Sequence, residues 1–299
     1  MMDRGKIKAV FRNEWQQTFT VGRMTGWVLL CLFPVLVTTL VQLKLDHLYF
    51  QTTEVQQELD EAKQSGSQKL INKRQQEYDR SKDYLETLIE IWPMMLFVVC
   101  EIVCLLQLLL WATPWLFVEL EARNWIYLSV RPGGKTAVLL GKYLAAATRT
   151  MMGTTIGLLL ALLVAKPEDG VYLFLVLGTL IAISSFSYAA VFTFLGTLFP
   201  RRAMVMAVGY SLLIELAVSF IPAVINQVSI QFRLRSMLFT WMDFLQVQGS
   251  WRPPPGFEDM LGNSSVLLHL GVLLCMNVGL LWIGSQLICR REQVSKVEV

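Results

Sequence analysis

FVELEARNWIYLSVRPGGKTAVLLGKYLAA, residues 117–146, is a charge-rich amphipathic connection between two long apolar runs. The chain leaves the first run through Glu119, Glu121 and Arg123. It turns at Arg131-Pro132-Gly133-Gly134 and enters the second run through Lys135, Gly141 and Lys142. Proline fixes φ and glycine admits conformations closed to other residues, so helix continuity should break at this turn. The pattern predicts a membrane helix, a short surface helix over Asn124 to Val130, a tight turn and another membrane helix. Gly134-Lys135-Thr136 has the ending of a phosphate-binding loop. Ser129 stands where that motif needs its first glycine, and no strand precedes it, so a nucleotide site is rejected.

The composition agrees with a membrane setting. Hydrophobic residues make up 54% and charged residues 16% of the chain, against about 25% charged in soluble domains. The deficit of charge is concentrated in long apolar runs, which marks an integral membrane protein. The net charge of +3 has no basic block behind it, so no nucleic-acid partner is expected. The five cysteines, Cys31, Cys100, Cys104, Cys275 and Cys289, lie in or beside apolar runs. A disulfide framework would place them in loops, so they read as packing residues. The first apolar run begins only at Trp27 and no small-x-small cleavage site closes it, so it should stay as an anchor.

Six spans are expected: Trp27–Leu43, Met94–Phe117, Leu139–Val164, Val171–Phe199, Ala203–Val224 and Val266–Ile288. The first is close to the lower limit of about 17 residues for crossing a bilayer. The fourth exceeds what a bilayer needs and should tilt or bend near Ser184, Ser185 and Ser187. Before the spans, Ile7, Val10, Phe11, Trp15, Thr18 and Phe19 recur at helical spacing opposite Lys8, Arg12, Asn13 and Gln16. That pattern suits a helix lying in the headgroup plane in contact with membrane lipid. Basic residues fix the orientation. Arg4, Lys6, Lys8, Arg12 and Arg23 precede span one, and Arg123, Arg131, Lys135 and Lys142 follow span two. Arg201 and Arg202 follow span four, and Arg290, Arg291 and Lys296 follow span six. With six spans all of these lie on one side, which should be cytoplasmic, with both termini there and the chain in the cell's inner (cytoplasmic) membrane.

Two segments then fall outside. Residues 45–92 form an insertion within a single membrane domain of residues 1–299. Leu45, Leu48, Val55, Leu59 and Ala62 precede Ser65-Gly66-Ser67, and Ile71, Tyr78, Leu85, Leu88 and Trp92 follow it. Both sets fit a coiled seam, which predicts an extracytoplasmic helical hairpin turning at Gly66. It is either a docking arm for a periplasmic or extracellular partner or a solvated hairpin with none. Residues 225–265 mix apolar residues, Trp241, Trp251 and the run Pro253-Pro254-Pro255. Short interfacial or re-entrant helices are expected there.

The connection at 117–146 resembles the loop between spans two and three of type-2 ABC transporter permeases. The acidic and basic helix end, Pro132, Lys135 and the Gly141-Lys142 pair stand at that family's spacing. Asn124-Trp125-Ile126-Tyr127 replaces the small Gly-Thr-like start of its surface helix. The resemblance implies an all-α polytopic fold of six transmembrane helices with an N-terminal interfacial helix. It implies that Glu119, Glu121, Arg123, Asn124, Trp125, Arg131, Pro132, Lys135 and Lys142 couple the chain to a separate ABC ATPase subunit. A second permease copy or paralogue is implied too. No cofactor is expected in this chain, with ATP bound on the partner.

Three ionisable residues interrupt the apolar runs: Glu101, Arg149 and Glu215. A charge at a helix centre costs at least about 2.5–3.5 kcal/mol on insertion scales, so each needs a reason. Glu101 and Glu215 are candidates for a translocation path, or else neutral or interhelically bonded structural residues. Arg149 lies within snorkelling reach of the cytoplasmic interface. No enzyme constellation is legible: there is no Gly-x-Ser-x-Gly, no His-Glu-x-x-His and no intramembrane histidine paired with serine. His47 and His269 read as interface residues, too few for a zinc site. The function expected is therefore the permease subunit of an ABC exporter, not an enzyme in itself. The alternative is a non-transporting scaffold whose outer hairpin recruits or pulls on an envelope partner.

Overall fold

The computed structural model describes residues 4–17, 21–65, 67–121, 133–217, 229–242 and 265–290. Among them every regular element is helical: α1 (Arg4–Gln17), α2 (Val21–Ser65), α3 (Gln68–Trp111), α4 (Trp115–Glu121), α5 (Gly134–Ala165) and α6 (Gly170–Leu198) come first. A 3-10 turn (Pro200–Arg202), α7 (Ala203–Tyr210), a π-helical segment (Ser211–Ala217), α8 (Ile230–Trp241) and α9 (Val266–Arg290) follow. Among the described residues five helices are long and apolar enough to cross a membrane: the apolar stretches of α2, α3, α5, α6 and α9. The chain is thus an all-α, multi-pass membrane protein.

The first apolar run is no short, separate span. It is the opening of α2, a single helix of 45 residues that passes through Pro34 and Lys44 into the polar insertion. α3 likewise runs unbroken through Pro93 into the second apolar run. The second run does stop early, at Ala112-Thr113-Pro114, because Pro114 has no N–H to give the ladder; α4 then restarts from Trp115. Over the polar insertion α2 and α3 lie side by side. Leu45, Leu48 and Leu85 bury one another with Val41 and Leu88 against them. Farther out, Arg74 of α3 reaches Glu58 of α2 at 2.8 Å. Leu59 and Ala62 are buried, and Val55, Ile71 and Tyr78 are half-buried, so the seam residues face inward.

α6 is the hub, packed against α3, α5, α8 and α9. Its Ser184, Ser185 and Ser187 are buried inside an unbroken helix. Two glycines of α5 set how closely α2 approaches. A Cβ at Gly157 would stand 2.5 Å from the Cys31 carbonyl oxygen, and one at Gly153 would stand 2.6 Å from the Trp27 indole nitrogen. α1 lies across the start of α5 with Val10 over Gly141. Its Lys8, Arg12, Asn13 and Gln16 are exposed while Ile7, Val10, Phe11 and Trp15 are half-buried, the two faces read from the sequence. Thr18 and Phe19 lie outside the described residues.

α1, α4, the Pro200–Arg202 turn and the last turn of α9 gather at one end of the body. The contacts of α4 with that turn and the Thr136–Ser285 and Thr136–Cys289 pairs place them there. The opposite end holds Lys166 to Gly170 and the Tyr172 hydroxyl, which donates to the Trp241 carbonyl. The expected span Ala203–Val224 is not one regular helix. It turns from α to π at Ser211, and residues 218–224 lie outside the described residues. Trp251 and the triple proline lie outside them as well.

Candidate functional site

Glu101 and Glu215 come together although 114 positions separate them, and one hydroxyl joins them. Tyr188 of α6 lies 3.4 Å from Glu101 Oε1 and 3.1 Å from Glu215 Oε2. The broken helix explains the position of Glu215. In a π turn the aligned partner is five residues away, and Tyr210 donates to Glu215 Oε1 at 2.6 Å. The same carboxylate accepts the backbone N–H of Ile230 at 3.3 Å and of Gln231 at 3.0 Å. Ser229 caps the next amide, accepting from Phe232 N at 3.0 Å. A helix start leaves its first amides without intrahelical acceptors and carries partial positive charge. Glu215 and Ser229 together serve three of them at the start of α8.

The two carboxyl groups are not equivalent. Glu215 receives four donors, which is what a buried carboxylate requires. Glu101 is 2% exposed and its Oε2 has no hydrogen-bond partner. Tyr188 has a single proton, so it can donate to only one of the two carboxyls at a time. Arg235, one turn beyond Gln231 on α8, is the cation whose field reaches both glutamates. The site therefore combines two buried acids and a buried shared phenol with a half-buried cation and a helix start, among α3, α6, α7, the π segment and α8. Sequence reading finds the acids and misses Tyr188, Tyr210 and Arg235.

At the basic end, Lys142 lies 2.6 Å from Glu119 and 3.0 Å from Glu14, with its side chain 10% exposed. The ion pair ties α1, α4 and α5 together. Two of the residues singled out in the connecting stretch thus meet each other. Glu14 was not singled out, yet it shares the helix face of Ile7 and Val10 that packs on α5. Lys135 sits in the first turn of α5, two turns before Lys142. Gly133 has φ 73°, the left-handed region, and marks the break expected at this turn. Arg123, Asn124, Trp125, Arg131 and Pro132 lie outside the described residues, as does the side chain of Glu121.

Arg149 is 8% exposed, with its guanidinium 4.4 Å from the centroid of the Trp111 ring. Cation–π attraction on an indole holds the charge inside the body.

A serine–histidine pair does exist, contrary to the sequence reading. Ser236 Oγ lies 3.1 Å from His269 Nε2, and an Arg233 guanidinium nitrogen lies 3.4 Å from Nδ1. The pair joins α8 to α9, a tertiary contact that no sequence spacing announces. Its chemistry is not that of an activated serine. Arginine can only donate, so Nδ1 accepts and the ring proton sits on Nε2, where it donates to Ser236. A general base needs the opposite tautomer, with Nε2 free to take the serine proton.

Cys104 packs in the interior with Thr154 at 3.4 Å and Ser185 at 3.6 Å, and all five cysteines are free. Among the described residues no group of three His, Cys, Asp or Glu side chains could hold a metal ion. No protein-family model, curated protein or solved structure matches the chain.

Proposed function

We propose that the chain is the permease subunit of an ABC exporter, moving its substrate with ATP hydrolysed on a separate ATPase subunit. The observation that carries the proposal is the meeting of Glu101, inside α3, with Glu215, which stands at the π interruption and faces the start of α8. Transporters build substrate and ion sites from interrupted helices whose half-helix starts point at charged groups. A scaffold has no need to hold two acids in its interior, where each is costly.

In this reading the fifth of six spans is the stretch from Ala203 to Val224, interrupted by the π segment, and α8 is a re-entrant half-helix. Both termini face the cytoplasm, and the α2–α3 insertion is an extracytoplasmic hairpin. Two permease copies, identical or paralogous, enclose the path that Glu101 and Glu215 line. The ATPase grips the surface helix at Asn124 to Val130. Glu119, already tied to Lys142 and through it to Glu14, passes the motion into α5 and the interfacial helix.

The test is whether an ABC ATPase subunit co-purifies with the chain from its native membrane. Wild-type protein should retain that subunit. Reversing the charges of Glu121 and Arg123 should release it while the permease stays folded by gel filtration. Failure of any ATPase to associate with the wild type would overturn the proposal. The scaffold reading keeps one observation in its favour, the length of α2 and α3 beyond the apolar runs, and deletion of residues 53–84 separates the two.

A further inference from the structure

A cavity of about 330 Å³ opens at the basic end, under α1 and between α2, the α3–α4 corner and α5. Its polar lining is Glu14, Lys142 and Arg149, and its aromatic walls are Trp111 and Trp115. Lys142 and Arg149 project from one face of α5, two turns apart. The Arg149 guanidinium carbon lies over Trp111, 4.4 Å from the ring centroid, at the cavity wall. The planar fork of a guanidinium matches a phosphate. The charges balance: Lys142 and Arg149 stand against Glu14 and Glu119, the two acids on Lys142. Leu110 and Val118 on the rim are exposed and lead from the cavity to the apolar flank of the body. Tryptophans and an amphipathic helix mark the level at which lipid headgroups lie.

We propose that this cavity binds a zwitterionic phospholipid, with its phosphate on Arg149, its ammonium toward Glu14, and its acyl chains leaving past Leu110 and Val118. With Glu119 on Lys142 counted beside the lining residues, the charge cluster at the cavity is balanced, which disfavours a headgroup with net negative charge. The volume also exceeds what a phosphate needs, since one water takes about 30 Å³ of liquid. The site is independent of the glutamate pair and of any ATPase. It places a lipid where α1, α4 and α5 meet, beside the ion pair on Lys142.

Gly26 supplies a clean probe. It lines the cavity, and a Cβ built on it meets nothing within 4 Å. Gly26→Leu puts a side chain into the space from a position whose Cβ meets no neighbour, and Arg149→Gln removes the phosphate's cation. The full-length chain is delipidated in detergent, offered phosphatidylethanolamine or phosphatidylglycerol, and examined by native mass spectrometry. Wild type should hold one phosphatidylethanolamine per chain in preference to phosphatidylglycerol. Both variants should bind it about tenfold more weakly or worse, the scale of one charge-assisted contact. Inorganic phosphate should not displace the lipid. Retention undiminished in G26L overturns the proposal, as does a preference for phosphatidylglycerol. Displacement by phosphate alone would make this a free-anion site, which also overturns it. If R149Q fails to fold, G26L decides alone, with its helicity checked by circular dichroism.

Discussion

At the scale of single residues, the two membrane acids have different duties. Glu215 serves two phenols and two backbone amides, so its removal takes the acceptor from four donors, two of them buried. Glu215→Ala should lower stability by about 3 kcal/mol or more, read as thermal loss of the monodisperse gel-filtration peak. Glu101 meets Tyr188 and the Gln231 side chain and keeps an idle oxygen. Glu101→Gln keeps its shape and the acceptor facing Tyr188, and should stay within about 1 kcal/mol of wild type. If E101Q is as damaging as E215A, the unequal division of the pair is wrong. The acids were legible because a charge within an apolar run demands a reason. Their partners were not. A tyrosine in a span is unremarkable, and Tyr210 stands five residues before Glu215, a spacing without meaning until the helix is known to be π. Ser236 and His269 were invisible for a similar cause: nothing local records that α8 folds back against α9.

At the scale of elements, close packing of α2 on α5 rests on missing side chains. Gly157→Ala sets a methyl against the Cys31 carbonyl, which belongs to the backbone and cannot swing aside. A cost of about 1–3 kcal/mol is expected. Gly153→Ala meets the end of the Trp27 side chain, which can move, and should cost less. Gly178→Ala meets nothing within 4 Å and should be neutral or stabilising, by up to about 1 kcal/mol of helix propensity. Equal melting temperatures for G157A and G178A would show that α2 does not sit as described. The positions of α3, α5, α6 and α9 were readable from hydropathy, since each apolar run is long. The stretch after Ala203 was harder. Hydropathy reports how apolar a segment is, not whether its hydrogen bonds run to the fourth or the fifth residue, so the change at Ser211 left no trace in composition. The seam of the insertion was legible at Leu45, Leu48, Leu59, Ala62 and Leu85. The continuity of its helices with the apolar runs was not, because Pro34, Lys44 and Pro93 all suggested joints.

At the scale of the whole molecule, the insertion and the body are separable in energetic terms. Leu45, Leu48 and Leu85 lie at the foot of the insertion, outside the segment from Thr53 to Tyr84. Deleting residues 53–84 should leave a folded, helical, detergent-soluble body with unchanged binding of the ATPase. Loss of the body's monodispersity would show that the outer seam supports the fold. With the body intact, transport that survives the deletion makes the insertion an accessory. Loss of an envelope partner without any detectable substrate favours the scaffold.

The uninterrupted course of α2 has a mechanical corollary. Helices are stiff along their length, and about 30 Å of α2 lies beyond Leu45 at 1.5 Å per residue. Without an intervening joint, a rocking of about 10° within the bilayer would sweep the far tip sideways by roughly 5 Å on that length. Whatever tilts the chain inside the bilayer is thereby felt well outside it, with no second moving part.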